Sequence, residues 1–416
     1  MSLMRCNNKK ILILGAGEGQ VPLIKLAKNA GWYSIVVSPK GNYPGFALAD
    51  ECLYADISDK EVILRMAKET QISAIATDQT DISVPTVLYV AEQLGLPHIE
   101  CTDVDNFRYK SRMRTICREA GLPTIASCVT NNLKEAKSFF LSLPHPLAIL
   151  KPVDSQGSRG VAKVDSVVAL ETALAHAMDY SRRKEIIIEQ FIDGQEIEVD
   201  TVVRDGEIKA VLIGDVFNFQ SANTFSAYER IYPTNLSDAT QQYIREINSR
   251  TIFALGIRTG WTHGEYIVSK DGGVYLIEVG IRGGGNYIGS DIVHAMLGYG
   301  THEMAFLVAT GDTSFYDKVA LQSQFCAYKC FCLPAGKITE LHIDKHFLAQ
   351  ECVLCHNLDS LFEGKITDSH MDKTNRFTVV LKAPTRELLR KYIDAVPMHI
   401  SVNVRTERGI ETEFWK

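Results

Sequence analysis

The sequence predicts a mixed α/β and α+β protein: a parallel-sheet lobe at the N-terminus, followed by antiparallel, β-rich lobes. Three observations carry this. Up to about residue 105, short apolar runs alternate with amphipathic stretches, the pattern of a parallel sheet covered on both faces. Beyond about residue 185, apolar and polar residues alternate across Asp-Gly and Lys-Asp-Gly-Gly turns, the pattern of antiparallel hairpins. At 416 residues the chain is too long for one ordinary core.

Taken in order, KILILG reads as a short buried strand. GAGEGQ turns from it into VPLIKLAKNAG, an amphipathic helix closed by Gly31. WYSIVVS is a second strand, DKEVILRMAKET a second helix, ISAIAT a third strand and VPTVLYVAEQLGLP a third helix. NFRYKSRMRTICREAGLPTI and LKEAKSFFLSL follow as helices, then the strand PLAILKPVD and the Gly-rich SQGSRGVAKV. EIIIEQFIDGQEIEVDTVVRDGEIKAVLIGDVF reads as one antiparallel meander, with turns at Asp193-Gly194 and Asp205-Gly206. THGEYIVSKDGGVYLIEVGIRGGG repeats strand, turn, strand and Gly-rich loop, and HEMAFLVATG is a helix. From about residue 320 the chain is β-rich again, with the helix TRELLRKYIDAV before a last strand, HISVNV.

Composition narrows the function classes. Apolar residues make up 46% and charged residues 23%, the profile of a soluble globular protein. The net charge of −6 and pI of 6.0 give no global attraction for nucleic acid or anionic membrane. No apolar run approaches the length of a membrane span, and the N-terminus lacks the pattern of a signal peptide, so the expected location is cytoplasmic. Of the ten cysteines, Cys326, Cys330, Cys332, Cys352 and Cys355 cluster, with His356 adjacent, and include one Cys-x-x-Cys. In FCAYKCFC the spacing fits one face of a strand, so buried small hydrophobes are expected in preference to a zinc site.

The glycine loop GAGEGQ follows a strand but has the spacing G-x-G-x-G, and no acid stands at Val37-Ser38-Pro39-Lys40 for a ribose hydroxyl. A tight turn in a substrate-binding lobe is the better reading than a dinucleotide site. Lys151 ends the strand AILKPVD beside S-Q-G-S-R-G. There a lysine, the Gly157 and Gly160 backbone and the Ser155 and Ser158 hydroxyls suit a polyphosphate. The alternative is a surface hairpin with a solvated lysine. Lys110 lies in YKSRMR, and along that predicted helix Arg112 and Arg118 read as a solvated face.

Glu265 and Glu278 are the sharpest signal. Each lies on its own strand, in HGEYIV and YLIEVG, across a Lys-Asp-Gly-Gly turn that places them near each other on one face. Facing carboxylates repel unless a cation lies between them, and Mg²⁺ prefers such oxygen ligands. Arg282, four residues on, enters Gly283-Gly284-Gly285 and suits a phosphate or carboxylate.

The order of these features resembles the ATP-grasp superfamily of carboxylate–amine ligases, nearest to the branch with amino-acid ligases and carbamoyl-phosphate-synthase-like proteins. The likeness runs over nearly the whole chain. It implies a Rossmann-like pre-ATP-grasp lobe over 1–105 and an ATP-grasp domain over 106–310. That domain would have a lid lobe at about 122–190 and a nucleotide and metal lobe at about 191–310; 311–416 would be a β-rich C-terminal portion. It implies that Lys110 and Lys151 are the two nucleotide lysines and that Ser155 to Val161 close over the phosphates. Glu189 and the backbone of Gln190, Phe191 and Ile192 would receive adenine, and Glu196 the ribose hydroxyls. Glu265 and Glu278 would hold Mg²⁺, with Mn²⁺ as the alternative ion. Arg282 would steady the transferred phosphoryl group, acting with Lys151.

One departure stands out: the family often has E-x-N-x-R, whereas this chain has Glu278-Val-Gly280-Ile-Arg282. The asparagine that usually helps hold a second magnesium is absent. The function implied is activation of a carboxylate as an acyl phosphate by ATP, followed by attack of an amine. The rivals are a purine-pathway ligase or carboxylase, for which the first lobe offers Lys40 and little else, and a non-catalytic nucleotide binder. Expected partners are a small-molecule carboxylate and amine, with a homodimer among the expected states. Asp78, Asp81, Asn286 and Asp291 are candidate substrate contacts.

Overall fold

The structure is a computed structural model describing residues 9–154, 160–219, 227–367 and 376–412. Its first lobe comprises β1 (Lys10–Leu14), α1 (Val21–Asn29), β2 (Tyr33–Ser38), β3 (Glu51–Tyr54), α2 (Lys60–Thr70), β4 (Ala74–Ala76) and α3 (Val84–Leu94). The strands form a parallel sheet in the order β3-β2-β1-β4. The run of apolar residues in β1 has a direct cause: Ile11 and Ile13 pack beneath α1, while Leu12 and Leu14 pack on the other side beneath α2 and α3. β3 escaped the sequence reading because it is a half-exposed edge strand, ECLY, with no apolar run.

Next come β5 (Glu100–Cys101), α4 (Lys110–Glu119), β6 (Ser127–Thr130), α5 (Leu133–Ser142), β7 (Ala148–Pro152), β8 (Ala162–Val164), α6 (Val167–Tyr180) and β9 (Ile186–Gln190). Four of these strands make a small sheet, β6-β9-β7-β8, covered by α5 and α6 through Ala136, Phe140, Leu170 and Ala177. The expected meander is corrected here. β9 pairs with β6 and β7, so Asp193-Gly194 is a crossing between two sheets and not a hairpin turn.

The remainder holds β10 (Gly194–Arg204), β11 (Glu207–Asn218), β12 (Ala227–Tyr232), α7 (Asp238–Leu255), β13 (Ile257–Ser269), β14 (Val274–Gly280), α8 (Val293–Leu297), α9 (Thr301–Ala309) and β15 (Phe325–Cys332). After them come β16 (Gly336–Ile343), α10 (Lys345–Leu348), β17 (Val353–His356), β18 (Ile366–Thr367), β19 (Arg376–Ala383), α11 (Arg386–His399), β20 (Ile400–Thr406) and β21 (Gly409–Glu411). One large sheet runs β14-β13-β10-β11-β12-β15-β19-β17, with β5 on β13. The strands after residue 320 therefore extend this sheet, and a second small sheet, β18-β16-β20-β21, stands beside it. The β10–β11 turn is the Asp-Gly hairpin read from sequence, with φ of +53° at Asp205 and +77° at Gly206. Cys326, Cys330 and Cys332 are buried in the core on β15, as small hydrophobes. Among the described residues no helix is long and apolar enough to cross a membrane.

Candidate functional site

Three adjacent strands bring three acids into one row. Glu278 on β14 faces Glu265 on β13, and Glu265 faces Glu198 on β10. The two outer acids have protein cations. Lys110 Nζ lies 2.7 Å from Glu278 Oε2, and Arg230 Nε lies 2.7 Å from Glu198 Oε1, while the Tyr232 hydroxyl donates to Glu198. The middle acid, Glu265, has no ion pair among the described residues. Burial, then the carboxylates of Glu278, Glu196 and Glu198, push its carboxyl up to about 8. Burial also acts against charge on Glu278, but the Lys110 ammonium more than offsets it and holds that carboxyl at about 2. The row thus lacks one positive charge at its centre, which suits a cation with oxygen ligands. His263, on the same strand as Glu265, comes within 4.8 Å of both Glu198 and Glu265, and its Nδ1 is 2.9 Å from Asp200 Oδ1. Glu198 and the His263–Asp200 pair went unread as site groups because their places depend on how β10 aligns with β13.

A second cluster lies at the small sheet. Lys151, at the end of β7, is 2.6 Å from Glu189 Oε2, and Arg114 Nε of α4 is 2.6 Å from Glu189 Oε1. All three side chains are buried. Arg114 Nη2 also donates to the Ile277 carbonyl of β14 at 2.8 Å, while its Nη1 has no protein partner among the described residues. One guanidinium therefore ties α4 to the small sheet and to the acid-bearing hairpin. The helical register held a signal for it, since Lys110 and Arg114 share one face at i, i+4. Arg112 and Arg118 are exposed, as expected of a solvated face.

The remaining candidates divide as follows. The Glu189 carboxylate is taken up by its two cations, and the Gln190 and Phe191 amides donate to the Ala126 and Leu147 carbonyls. The Phe191 ring carries Lys163 Nζ at 3.8 Å, and Ile192 is half-buried beside it. Glu196 accepts from Asn218 Nδ2 at 2.6 Å. Ser155, Gly157 and Ser158 lie outside the described residues. Gly160 is described: its φ is +73° and a β-carbon there would meet Pro152 Cγ at 2.9 Å, so glycine is required for packing.

Arg282 is held by the first lobe. Its Nε donates to Asp81 Oδ1 at 3.0 Å, and the preceding loop residue Asp78 accepts from the Gly283 amide at 3.1 Å and from Thr301 Oγ1 at 2.8 Å. Asp78 is fully buried, and burial pushes its carboxyl from 3.8 to about 6 against the pull of those hydrogen bonds. The folded state therefore keeps a proton that the unfolded chain has released. Its contribution to stability is present below pH 3.8 and is lost as the pH rises through about 6. Asp78→Asn can keep both contacts, its oxygen for Gly283 and its amide for Thr301. The variant is expected to gain on the native protein by up to ~3 kcal/mol between pH 4 and 6 in urea unfolding. A pH-independent difference would refute this.

With this geometry in place, comparison with known proteins finds a family likeness over part of the chain. Residues 143–290 match the ATP-grasp domain. A formate-dependent phosphoribosylglycinamide formyltransferase from Rhodococcus jostii (strain RHA1) is 27% identical over 289 residues, 66% of this chain and 68% of that one. The crystal structure of an L-amino acid ligase from Bacillus licheniformis superposes with a TM-score of 0.79 at 20% identity, over 96% of this chain and 100% of that one. The biotin carboxylase domain of the Hydrogenobacter thermophilus 2-oxoglutarate carboxylase, in complex with MgADP, ADP and bicarbonate, superposes with a TM-score of 0.71. That match is at 17% identity over 97% of this chain and 91% of that one. The latter two share the fold: a parallel-sheet lobe followed by the ATP-grasp lobes.

Proposed function

We propose that this chain is an ATP-dependent ligase that phosphorylates a carboxylate to an acyl phosphate and lets an amine displace the phosphate, releasing ADP. The observation that carries the reading is the Glu278–Glu265 pair, short of one cation, with Lys110 and Arg282 beside it. The residues present fit magnesium: Glu265 and Glu278 would hold it, and when bound it neutralises phosphate charge. Lys110, Lys151 and Arg282 place fixed positive charge around the transferring group, which favours the charge spread of an in-line transfer. Lys151 is steadied by Glu189, and Arg282 by Asp81, so neither has to be ordered during the reaction. We assign 1–105 to the substrate lobe, 106–310 to the ATP-grasp domain and 311–416 to a C-terminal portion that shares its main sheet.

A second reading has one observation in its favour. A cavity of about 730 Å³ opens beside the glycine loop, lined by Gly17, Ser38, Lys40, Tyr43, Tyr54 and Arg182 among others. Arg182 supplies the second cation that the first lobe lacked when read from sequence. This suits an anionic substrate group, as a purine-pathway reaction on a phosphorylated ribosyl compound requires. The deciding experiment is phosphate release from MgATP with amino acids singly and in pairs, and in parallel with phosphoribosyl amines plus formate or bicarbonate. Release requiring an amino-acid pair supports the first reading. Release requiring the phosphoribosyl amine supports the second. MgATP binding without release under any pairing would leave a nucleotide binder and sink both.

A further inference from the structure

Glu198, His263 and Glu265 stand together on the side of the acid row away from Glu278. The strand order is the cause: β13 lies between β14 and β10, so Glu265 has Glu278 on one side and Glu198 on the other. His263 is two residues before Glu265 on β13 and shares its face. A ring nitrogen of His263 and one carboxylate oxygen each of Glu198 and Glu265 all lie within 4.8 Å of one another, close to the spacing of ligands around a shared ion. The ring is held in advance. Asp200 faces His263 across the β10–β13 pairing, and its Oδ1 accepts from Nδ1 at 2.9 Å, the arrangement that orients metal-binding imidazoles. Gly284 lies against the same edge of the ring: a β-carbon there would meet Cε1 at 2.9 Å and Nδ1 at 3.0 Å. Nε2 is left with no hydrogen bond among the described residues, although the side chain is only 4% exposed.

We propose that Glu198, His263 and Glu265 hold a divalent transition-metal ion of the Mn²⁺ to Zn²⁺ series, apart from the magnesium assigned to Glu265 and Glu278. An imidazole beside two carboxylates suits such ions, whereas Mg²⁺ takes oxygen ligands. The charges agree. When ionised, Glu198, Glu265 and Asp200 face the single guanidinium of Arg230, and Asp200 Oδ2 is buried with no hydrogen-bond partner among the described residues. Arg230 Nε and the Tyr232 hydroxyl each donate to one oxygen of Glu198. A carboxylate has about four lone-pair sites, so Glu198 can still accept an ion. Glu265 is half-buried and gives that ion a way in from solvent. All three donors are protein groups, so the site needs no nucleotide and stands independently of the ligase reading.

The test is Mn²⁺ binding to the chelator-treated full chain without nucleotide, followed by pulsed electron paramagnetic resonance. Mn²⁺ is the probe because the chain's ten cysteines would draw Zn²⁺. A bound imidazole adds nitrogen modulation to the Mn²⁺ echo, which carboxylates cannot do. The wild-type chain is expected to bind Mn²⁺ and to show that modulation. His263→Gln keeps an amide donor for Asp200, so the fold is kept; it should lose the modulation and bind about 100-fold more weakly. Asp200→Asn leaves the three ligands in place and should bind about 10-fold more weakly with the modulation retained. Glu278→Ala removes no ligand of this site and should keep both binding and modulation. Absence of binding without nucleotide, or bound Mn²⁺ without nitrogen modulation, would overturn the proposal and leave His263 as the partner of Asp200 alone. So would affinity or modulation unchanged in His263→Gln. If Glu278→Ala abolishes binding, the ion belongs to the Glu265–Glu278 pair and the separate site fails. If no substrate pairing releases phosphate while the modulation persists, the ligase reading falls and this site stands.

Discussion

Glu278→Ala is expected to lower MgATP-dependent phosphate release by on the order of 10³-fold, about 4 kcal/mol of transition-state stabilisation, with the fold intact. Two effects add. The facing pair on β13 and β14 loses one of its two acids, and with it the cradle proposed above for the ion that would neutralise the phosphates. Lys110 loses the carboxylate 2.7 Å away that fixes its ammonium. The fold is expected to survive because the substitution also ends the repulsion between Glu278 and Glu265, the repulsion that helps lift Glu265 to about 8. The measurement pairs a phosphate-release assay with thermal melting. Glu278→Gln should fall nearly as far, since it keeps the shape but loses the charge. Near-native release from either variant, with an unchanged melt, would move the metal site elsewhere.

The hairpin that sets this pair was legible because its two determinants are local. The Lys-Asp-Gly-Gly turn starts the pairing at Val268 and Val274, and a one-residue register shift between Tyr266 and Glu265 then brings Glu265 opposite Glu278. The parallel lobe was legible for a similar reason: β1 is apolar on both faces because both are covered. What was not legible depends on contacts between distant parts of the chain. Alternation in EQFIDGQEIEVD describes two strands but cannot say that β9 and β10 belong to different sheets. Glu189 reads as an open acid until Arg114 and Lys151 arrive from other elements to neutralise it. Gly280 reads as a lost ligand until Asp81, far away in sequence, is found in its space. Periodicity reports which face a residue takes; it is silent on which charge stands opposite.

Arg114→Met is expected to destabilise the protein by about 3–5 kcal/mol and to weaken MgADP binding at the same time. Arg114 and Glu189 are each about 3% exposed as side chains, so the substitution leaves a buried carboxylate with half of its compensation. The Ile277 carbonyl loses its donor as well, and it lies next to Glu278 on β14. At present burial works against the Glu189 charge, but Arg114 and Lys151 together hold its carboxyl at about 2. Without Arg114, Lys151 must neutralise Glu189 alone and has less freedom to meet a nucleotide phosphate. Arg114→Lys should recover part of the stability, since an ammonium can reach the carboxylate but cannot also bridge to Ile277. The double variant Arg114→Met with Glu189→Gln separates the two roles. Removing both charges should restore much of the stability, because burial already lowers the Lys151 pKa and, without Glu189 to hold its charge, that lysine can shed its proton and leave no buried ion unpaired. Nucleotide affinity should stay low, because Lys151 has then lost the acid that orients it. Thermal melting and calorimetric titration with MgADP measure the two quantities independently. If affinity returns together with stability in the double variant, Arg114 and Glu189 serve only the fold; if affinity stays low in a stable protein, the pair is part of how the nucleotide is held.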